Sequence, residues 1–362
     1  MTDAFEFRSQ FPVFDRLAYL NAGTEGPVPR QAAEAVRRQV DLEATEGRCG
    51  RPYFERLIAM GSAVRAGYAR ALGCDASDVA LTGSTTDGVN TVIAGLDLQP
   101  GDEILTSDEE HPGLLAPLGR ARRRQGIKVR MVPFAELPGE VSPTTRLIAC
   151  SHVSWVSGRI ADTRALAASG ALVLLDAAQA LGAVPVDVRA IGCDFYAASG
   201  QKWMCGPEGS GCLYVRPERL EELLIPWPGY GSLADPVQAL ELEPAEGAAR
   251  LDHGFPVGIR SSWALASLEV LERAGWDWVH ERAASLAAWL AERLTDRGLA
   301  VGPRGGSTLV SWAAEDAEAE VERLAAANAV VRSIPALGLV RASVGAWSTE
   351  EELDRLVALA AG

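Results

Sequence analysis

Short unbroken apolar runs, each closed by small or polar residues, alternate along the chain with stretches in which apolar side chains recur every third or fourth position. Val79–Thr82, Gly101–Thr106, Lys128–Val132, Arg146–Cys150, Ala171–Leu175, Phe195–Ala198 and Gly211–Val215 read as strands, with helices between them. Strands alternating with helices from about 78 to 215 predict an α/β fold with a mainly parallel sheet covered on both faces. Residues 30–72 carry helical spacing interrupted around Gly47–Pro52, and a longer helical run, Ile259–Leu294, follows later. Near the C-terminus, Val331–Pro335 and Leu339–Ser343 read as strands, and Ser348–Glu352 caps an amphipathic helix over Leu353–Ala360.

At 362 residues and 48% hydrophobic, the chain can bury a large core and is expected to hold about two domains. We divide it into a lead-in, 1–20, a large domain, 21–245, and a small C-terminal α+β domain, 246–362. In the lead-in, Phe5, Phe7, Phe11, Val13 and Phe14 are available to pack on the small domain. The stretch 226–246, rich in Gly, Pro and acids, is the best candidate for a loop crossing an active site or a subunit boundary.

A net charge of −14 opposes binding to nucleic acid or an anionic membrane, and Arg120–Arg124 reads as the solvated face of a helix. The first residues lack a basic start followed by an apolar core, and no apolar run is long enough to span a bilayer; a cytoplasmic protein is expected. Six cysteines without CxxC spacing read as reduced core thiols, and four histidines without HExxH spacing offer no metal site.

The chemistry concentrates at two strand ends. Five apolar residues deliver Asp176 where open α/β sheets place ligands, with Gln179 just beyond. An Asp there can also be a helix N-cap. Further on, Ser199-Gly200-Gln201-Lys202 runs into Trp203, Met204 and Cys205. A lysine in apolar company loses charge stabilisation, the condition for a Schiff-base amine, although a lone Lys is ordinarily a solvated charge. Together they point to pyridoxal phosphate (PLP): Asp176 on the pyridinium nitrogen, Gln179 near the ring hydroxyl, Lys202 on the aldehyde. The turn Gly83–Gly88, between a strand and a helix, presents hydroxyls and backbone N–H groups to an anion, or is an ordinary N-cap.

With Asp176-x-x-Gln179 and Ser199-x-Gln201-Lys202-Trp203, the chain resembles the class V aminotransferase superfamily of fold-type I PLP enzymes, with Gln201 where a His is commoner. The likeness runs from Tyr19-Leu20-Asn21 past Arg341. It implies that Thr85, Thr86 and Ser199 hold the cofactor phosphate, that Gln201 belongs to the cofactor site, and that His111 lies over the ring. By the same resemblance the Asn21 and Trp155 loops line the site, and Arg341, with Arg332 nine positions earlier, takes the substrate carboxylate. Structural salt bridges are the other reading of these arginines. Where family members carry an Arg-Phe-Glu-x-Gly-Thr-like signature whose Thr reaches the neighbouring subunit's phosphate, this chain has Arg250–Pro256 with Phe255, so His253 or Ser232 must substitute or one contact is lost.

The motifs Glu110–Gly113 and Ser151–Val153 and the arginine pair look most like the cysteine/cystine carbon–sulfur lyases within this cysteine desulfurase-like group. Desulfurases need a nucleophilic thiol on a late mobile loop, and here no Cys follows Cys212. The resemblance therefore implies β-elimination from cysteine, cystine or an S-substituted cysteine, giving pyruvate, ammonia and a sulfur product, with Lys202, His111 and Asp176 as catalytic residues. An aminotransferase, an epimerase like that acting on isopenicillin N, and an inactive PLP-fold interaction protein are the rivals. A homodimer is expected, since fold-type I sites are usually built across a two-fold interface.

Overall fold

β-Branched and leucine-rich runs too short for helices make the strands, and small-residue turns end them. The computed structural model describes residues 3–252 and 254–361. The first part of the chain forms α1 (Ala4–Ser9), β1 (Ala18–Tyr19), α2 (Arg30–Glu46) and α3 (Gly50–Leu72). Then come β2 (Val79–Thr82), α4 (Thr85–Gly95), β3 (Glu103–Ser107), α5 (Pro112–Gln125), β4 (Lys128–Val132) and β5 (Thr145–Ser151). The large sheet is completed through α6 (Thr163–Ala167), β6 (Leu172–Asp176), α7 (Val188–Ile191), β7 (Phe195–Ser199) and β8 (Gly211–Val215). The remainder is α8 (Gly258–Ala274), α9 (Trp276–Asp296), β9 (Leu309–Ala313), α10 (Ala317–Ala326), β10 (Ala329–Val330), β11 (Arg332–Ile334), β12 (Leu339–Ser343) and α11 (Glu350–Ala360).

The large sheet has seven strands in the order β2-β8-β7-β6-β5-β3-β4, parallel except for β8, which runs antiparallel to both neighbours. Alternate residues of each strand supply two cores. Leu172 and Leu174 face one with α4 and α5, while Val173 and Leu175 face the other with α3 and α8. A second, three-stranded antiparallel sheet, β11-β12-β9, packs on α9, α10 and α11. β1 pairs with β10 beside it, so the start of the chain is built into this smaller layer. Phe7, Phe11 and Phe14 are buried around Trp347, but Phe5 is 79% exposed on the outer face of α1.

The expected single run 259–294 is two helices. Gly275, at φ +87°, breaks it where an L side chain would be strained, and α8 and α9 pack on different neighbours. The capping box before α11 forms between Thr349 and Glu352. Among its described residues, the segment between β8 and α8 forms short 3₁₀ turns and isolated bridges such as Leu233 with Pro244. No helix among the described residues is long and apolar enough to cross a membrane.

Candidate active site

Because β5, β6 and β7 run parallel, their C-terminal ends meet at one edge, and Ser151, Asp176 and Ser199 arrive there together. Asp176 is buried; its Oδ1 accepts the Ala178 N–H at 2.9 Å, and burial pushes its carboxyl up, against the lowering influence of Lys202. A buried carboxylate held this way calls for a cationic partner. Ser199 lies against the first turn of α4: its Oγ is 2.7 Å from Thr85 Oγ1 and accepts the Thr85 N–H at 3.2 Å. Ser84, the N-cap of α4, takes the Asp87 N–H at 3.1 Å. Thr86 points its hydroxyl toward the neighbouring helix, where a side chain at Gly113 would collide with it.

His111 caps α5, with Pro112 at the first helical position where no N–H is needed. Its Nδ1 accepts the Gly113 N–H at 3.0 Å, which puts the ring proton on Nε2. Burial, then the charges of Lys202, Arg332 and Arg341, pull its pKa down to about 4. His111 is therefore a neutral donor at physiological pH, and its ring meets Trp155 edge-on at 5.0 Å.

Lys202 follows β7 in a tight turn clamped from the Asn21 loop. The Gly26 N–H reaches Gln201 O at 2.7 Å, and a Cβ on Gly26 would run into Lys202 O. Cys205 closes the turn in the left-handed region, at φ +54°, with its carbonyl held by Trp263 Nε1 at 2.9 Å and Ser267 Oγ at 2.7 Å. Burial lowers the Lys202 pKa to about 8; Asp176 and Glu25 oppose this, and Arg341 and Arg332 add to it. Gln179 bridges the parts: Nε2 donates to Gly23 O at 2.7 Å and Oε1 accepts from Trp203 Nε1 at 3.1 Å.

Arg332 and Arg341 stand directly opposite each other in the β11–β12 ladder. Like charges so placed repel, and here one is wholly buried. Burial first, then Arg332, pulls the Arg341 pKa down to about 9. Arg341 Nη1 donates to Trp155 O at 2.5 Å, while its Nε and Nη2 are buried with no acceptor among the described residues. Arg332 Nη1 donates to Thr24 Oγ1 at 3.0 Å and its guanidinium lies 5.9 Å from the Trp155 ring centre. Thr24 Oγ1 in turn donates to Asn21 Oδ1 at 2.7 Å, which leaves Asn21 supporting the loop.

Thr85, Thr86, Ser199, Asp176, Gln179, His111, Lys202 and Trp155 thus gather at one edge of the large sheet, where Arg332 and Arg341 of the small sheet, and Asn21 bridged to it, meet them. Gln201 joins them through its backbone, and its Oε1 is buried without a donor among the described residues. Ser232 does not: it is buried in its own turn, accepting the Gly229 N–H at 3.2 Å. Phe255 is half-exposed against Phe54, and His253 lies outside the described residues.

Sequence reasoning missed Gly23. A Cβ there would lie 2.7 Å from Gln179 Oε1, 2.8 Å from Ser343 Oγ and 3.1 Å from Arg341 Nη2, so only glycine keeps this cradle open. It also gave Glu110 no role. This carboxylate is buried beside Asp176, takes Ser107 Oγ–H, and accepts Ser151 N–H at 2.9 Å and Ser151 Oγ–H at 2.6 Å. Burial pushes its pKa up to about 7 against those hydrogen bonds. Three consecutive acids, Asp108–Glu110, just beyond a buried strand were the signal.

This architecture is that of the fold-type I PLP enzymes. The family profile described as aminotransferase class-V matches residues 19–356, and the chain belongs to that family. It is 30% identical to isopenicillin N epimerase of Streptomyces clavuligerus, over 98% of this chain and 97% of that one. It is 29% identical to cysteine desulfurase CsdA of Escherichia coli (strain K12), over 97% and 95%. Among solved structures, the cystine C-S lyase C-DES with its product cysteine persulfide superposes with a TM-score of 0.91 at 27% identity, covering 97% of this chain and 99% of that one. C-DES with glycine covalently linked to its PLP cofactor superposes with a TM-score of 0.92 at 26% identity, covering 100% and 99%.

The residues present fit PLP. A lysine of lowered pKa, a buried acid, hydroxyls at a helix N-terminus and the open face at Gly23 converge, and buried donors on Arg341 face inward unpaired.

Proposed function

We propose that this chain is a PLP-dependent carbon–sulfur lyase that eliminates the sulfur substituent of cysteine, cystine or an S-substituted cysteine, giving pyruvate, ammonia and a sulfur product. The opposed pair Arg332/Arg341 beside Lys202 carries this reading: two cations facing each other in a ladder repel, an anion beside them relieves that repulsion, and an amino-acid carboxylate would supply it. PLP, the family's cofactor, supplies an electron sink for a carbanion at Cα when bound.

Each residue then has a defined task. Thr85, Thr86 and Ser199 would hold the phosphate end, Asp176 would pair with the ring nitrogen, and Gln179, with one amide hydrogen given to Gly23 O, would have the other for the ring hydroxyl. Arg341 grips the carboxylate with Nε and Nη2, fixing Cα before Lys202 Nζ, which takes the α-proton; its lowered pKa keeps that amine a competent base near neutrality. His111 offers Nε2–H as a neutral donor above the ring and Trp155 closes the side.

A desulfurase would need an accessible thiol here. Cys193, Cys205 and Cys212, the cysteines nearest Lys202 in sequence, are buried and their thiols pushed up by burial. Pyruvate release from L-cystine, L-cysteine and an S-alkylcysteine without added keto acid tests the proposal; no pyruvate from cofactor-loaded protein refutes it. The likeness to isopenicillin N epimerase favours a second reading, reprotonation at Cα, which would show as solvent-deuterium uptake without product.

We further propose a homodimer. Leu224, Trp227, Tyr230, Val237, Leu240 and Leu242 are exposed in one short segment, an apolar surface that a second copy of the chain would cover. Sedimentation of a monomer at micromolar concentration would refute it.

A further inference from the structure

We propose that Glu109 is a positioning residue which, through Ser154 and Ser157, sets the orientation of Arg341 toward the substrate carboxylate. The inference rests on the carboxylate reading of Arg341 given above. Glu109 sits in the turn between β3 and α5, two residues before His111, with its N–H on Ser107 Oγ at 3.2 Å. Its Oε2 receives the hydroxyl protons of both Ser154 and Ser157, from the loop that follows β5.

Those hydroxyls are already spoken for as acceptors. Ser154 Oγ takes the N–H groups of Val156 and Ser157, each at 3.1 Å, and Ser157 Oγ takes that of Arg159 at 3.2 Å. The loop closes on itself through Ser154 N–H to Arg159 O at 2.8 Å and Gly158 N–H to Ser154 O at 3.0 Å. A hydroxyl has one proton to give, and both here go to one carboxylate oxygen. Ser154 and Ser157 are buried, so water cannot replace that acceptor.

Between these serines stand the carbonyls that face the small sheet. Trp155 O receives Arg341 Nη1, and Val156 O receives Ser311 Oγ at 2.6 Å. Ser311 is the residue opposite Arg341 in the β9–β12 ladder. The Trp155 ring also touches both His111 and Arg332. Glu109 therefore holds the peptide that aims the arginine. The Thr85–Ser199 contact, proposed to hold the phosphate, does not involve this loop.

Glu109→Ala should raise the half-saturating concentration of glycine or L-serine, read from the spectrum of the bound cofactor, on the order of tenfold, the scale of lost hydrogen bonds to a charged group. Glu109→Gln, which keeps an oxygen for the serines, should restore most of it. Cofactor affinity and the turnover number at saturation should stay near wild type. If Glu109→Ala does not fold, Ser157→Ala carries the same test with a smaller shift. An unchanged half-saturation, or an equal loss of cofactor affinity, overturns the inference. Arg341→Ala separates the two claims: a shift there with none in Glu109→Ala refutes only the role of Glu109, and no shift in Arg341→Ala removes the carboxylate reading and the positioning role together.

Discussion

Replacing Arg341 by methionine should move binding and stability in opposite directions. In the free chain this guanidinium is wholly buried, faces Arg332 across the ladder, and among the described residues satisfies only Nη1, through Trp155 O. Burying a cation with two unpaired donors is costly, and exchanging such charges for apolar side chains stabilises proteins by about 1–4 kcal/mol. The pKa, lowered to about 9, has the same sign: the folded chain disfavours the charged form. Part of the gain is returned, since methionine is smaller and Trp155 O loses its donor, so a net gain of about 1 kcal/mol is expected. Substrate binding should fall instead. Truncating one partner of a buried charge pair costs about 3 kcal/mol, on the order of a hundredfold in half-saturation. Thermal denaturation of the cofactor-free protein and titration of the loaded protein with L-serine measure the two effects. A methionine variant that melts lower while binding L-serine normally would refute the argument, because Arg341 would then be a structural cation.

Labelling of Lys202 in cofactor-free protein by an amine reagent should rise through a midpoint near pH 8, where burial places its pKa; a midpoint near that of an ordinary lysine would contradict the site's polarity. Lys202→Ala should abolish the absorbance of the lysine-bound cofactor and turnover together. Gly23→Ala should weaken both cofactor and amino acid by about 1–3 kcal/mol, because its methyl meets Gln179, Ser343 and Arg341, and paired dissociation constants check this. Glu110 holds its proton to about pH 7 in the fold and to about 4.5 unfolded, so the folded chain binds the extra proton between those values and this contribution to stability falls as pH rises through that window. Glu110→Gln should remove that slope from melting temperatures measured between pH 5 and 8.

The parallel sheet was legible because its strands are buried on both faces and so read as unbroken apolar runs, and the place of Asp176 because a carboxylate directly after Leu172–Leu175 stands at the end of a buried strand. Gly275 was harder: helical spacing continues across it, and only its positive φ shows that α8 and α9 are separate. Gly23 and Glu109 were illegible for a different reason. Their partners lie far along the chain, at Gln179, Arg341, Ser154 and Ser157, and local patterns contain no information about which loops a topology brings together.

Overall likeness cannot choose the reaction, because the epimerase and CsdA stand at 30% and 29% identity and C-DES at 27%. The choice has to come from individual groups. All these outcomes start with a proton leaving Cα, and they differ in which atom is served next. Epimerisation needs a donor on the face opposite Lys202, and the group that the proposed site would offer there is His111, whose Nδ1 is occupied by Gly113 and whose pKa lies near 4. Such an imidazole gives up its Nε2 proton reluctantly and cannot readily be recharged at pH 7. Sulfur departure needs no proton at Cα, and leaves His111 only to orient by hydrogen bonding. His111→Gln, which keeps an N–H without an ionisable ring, should therefore retain a substantial share of pyruvate formation; a collapse of elimination to background would show that a titrating imidazole is required and would move the assignment toward epimerisation.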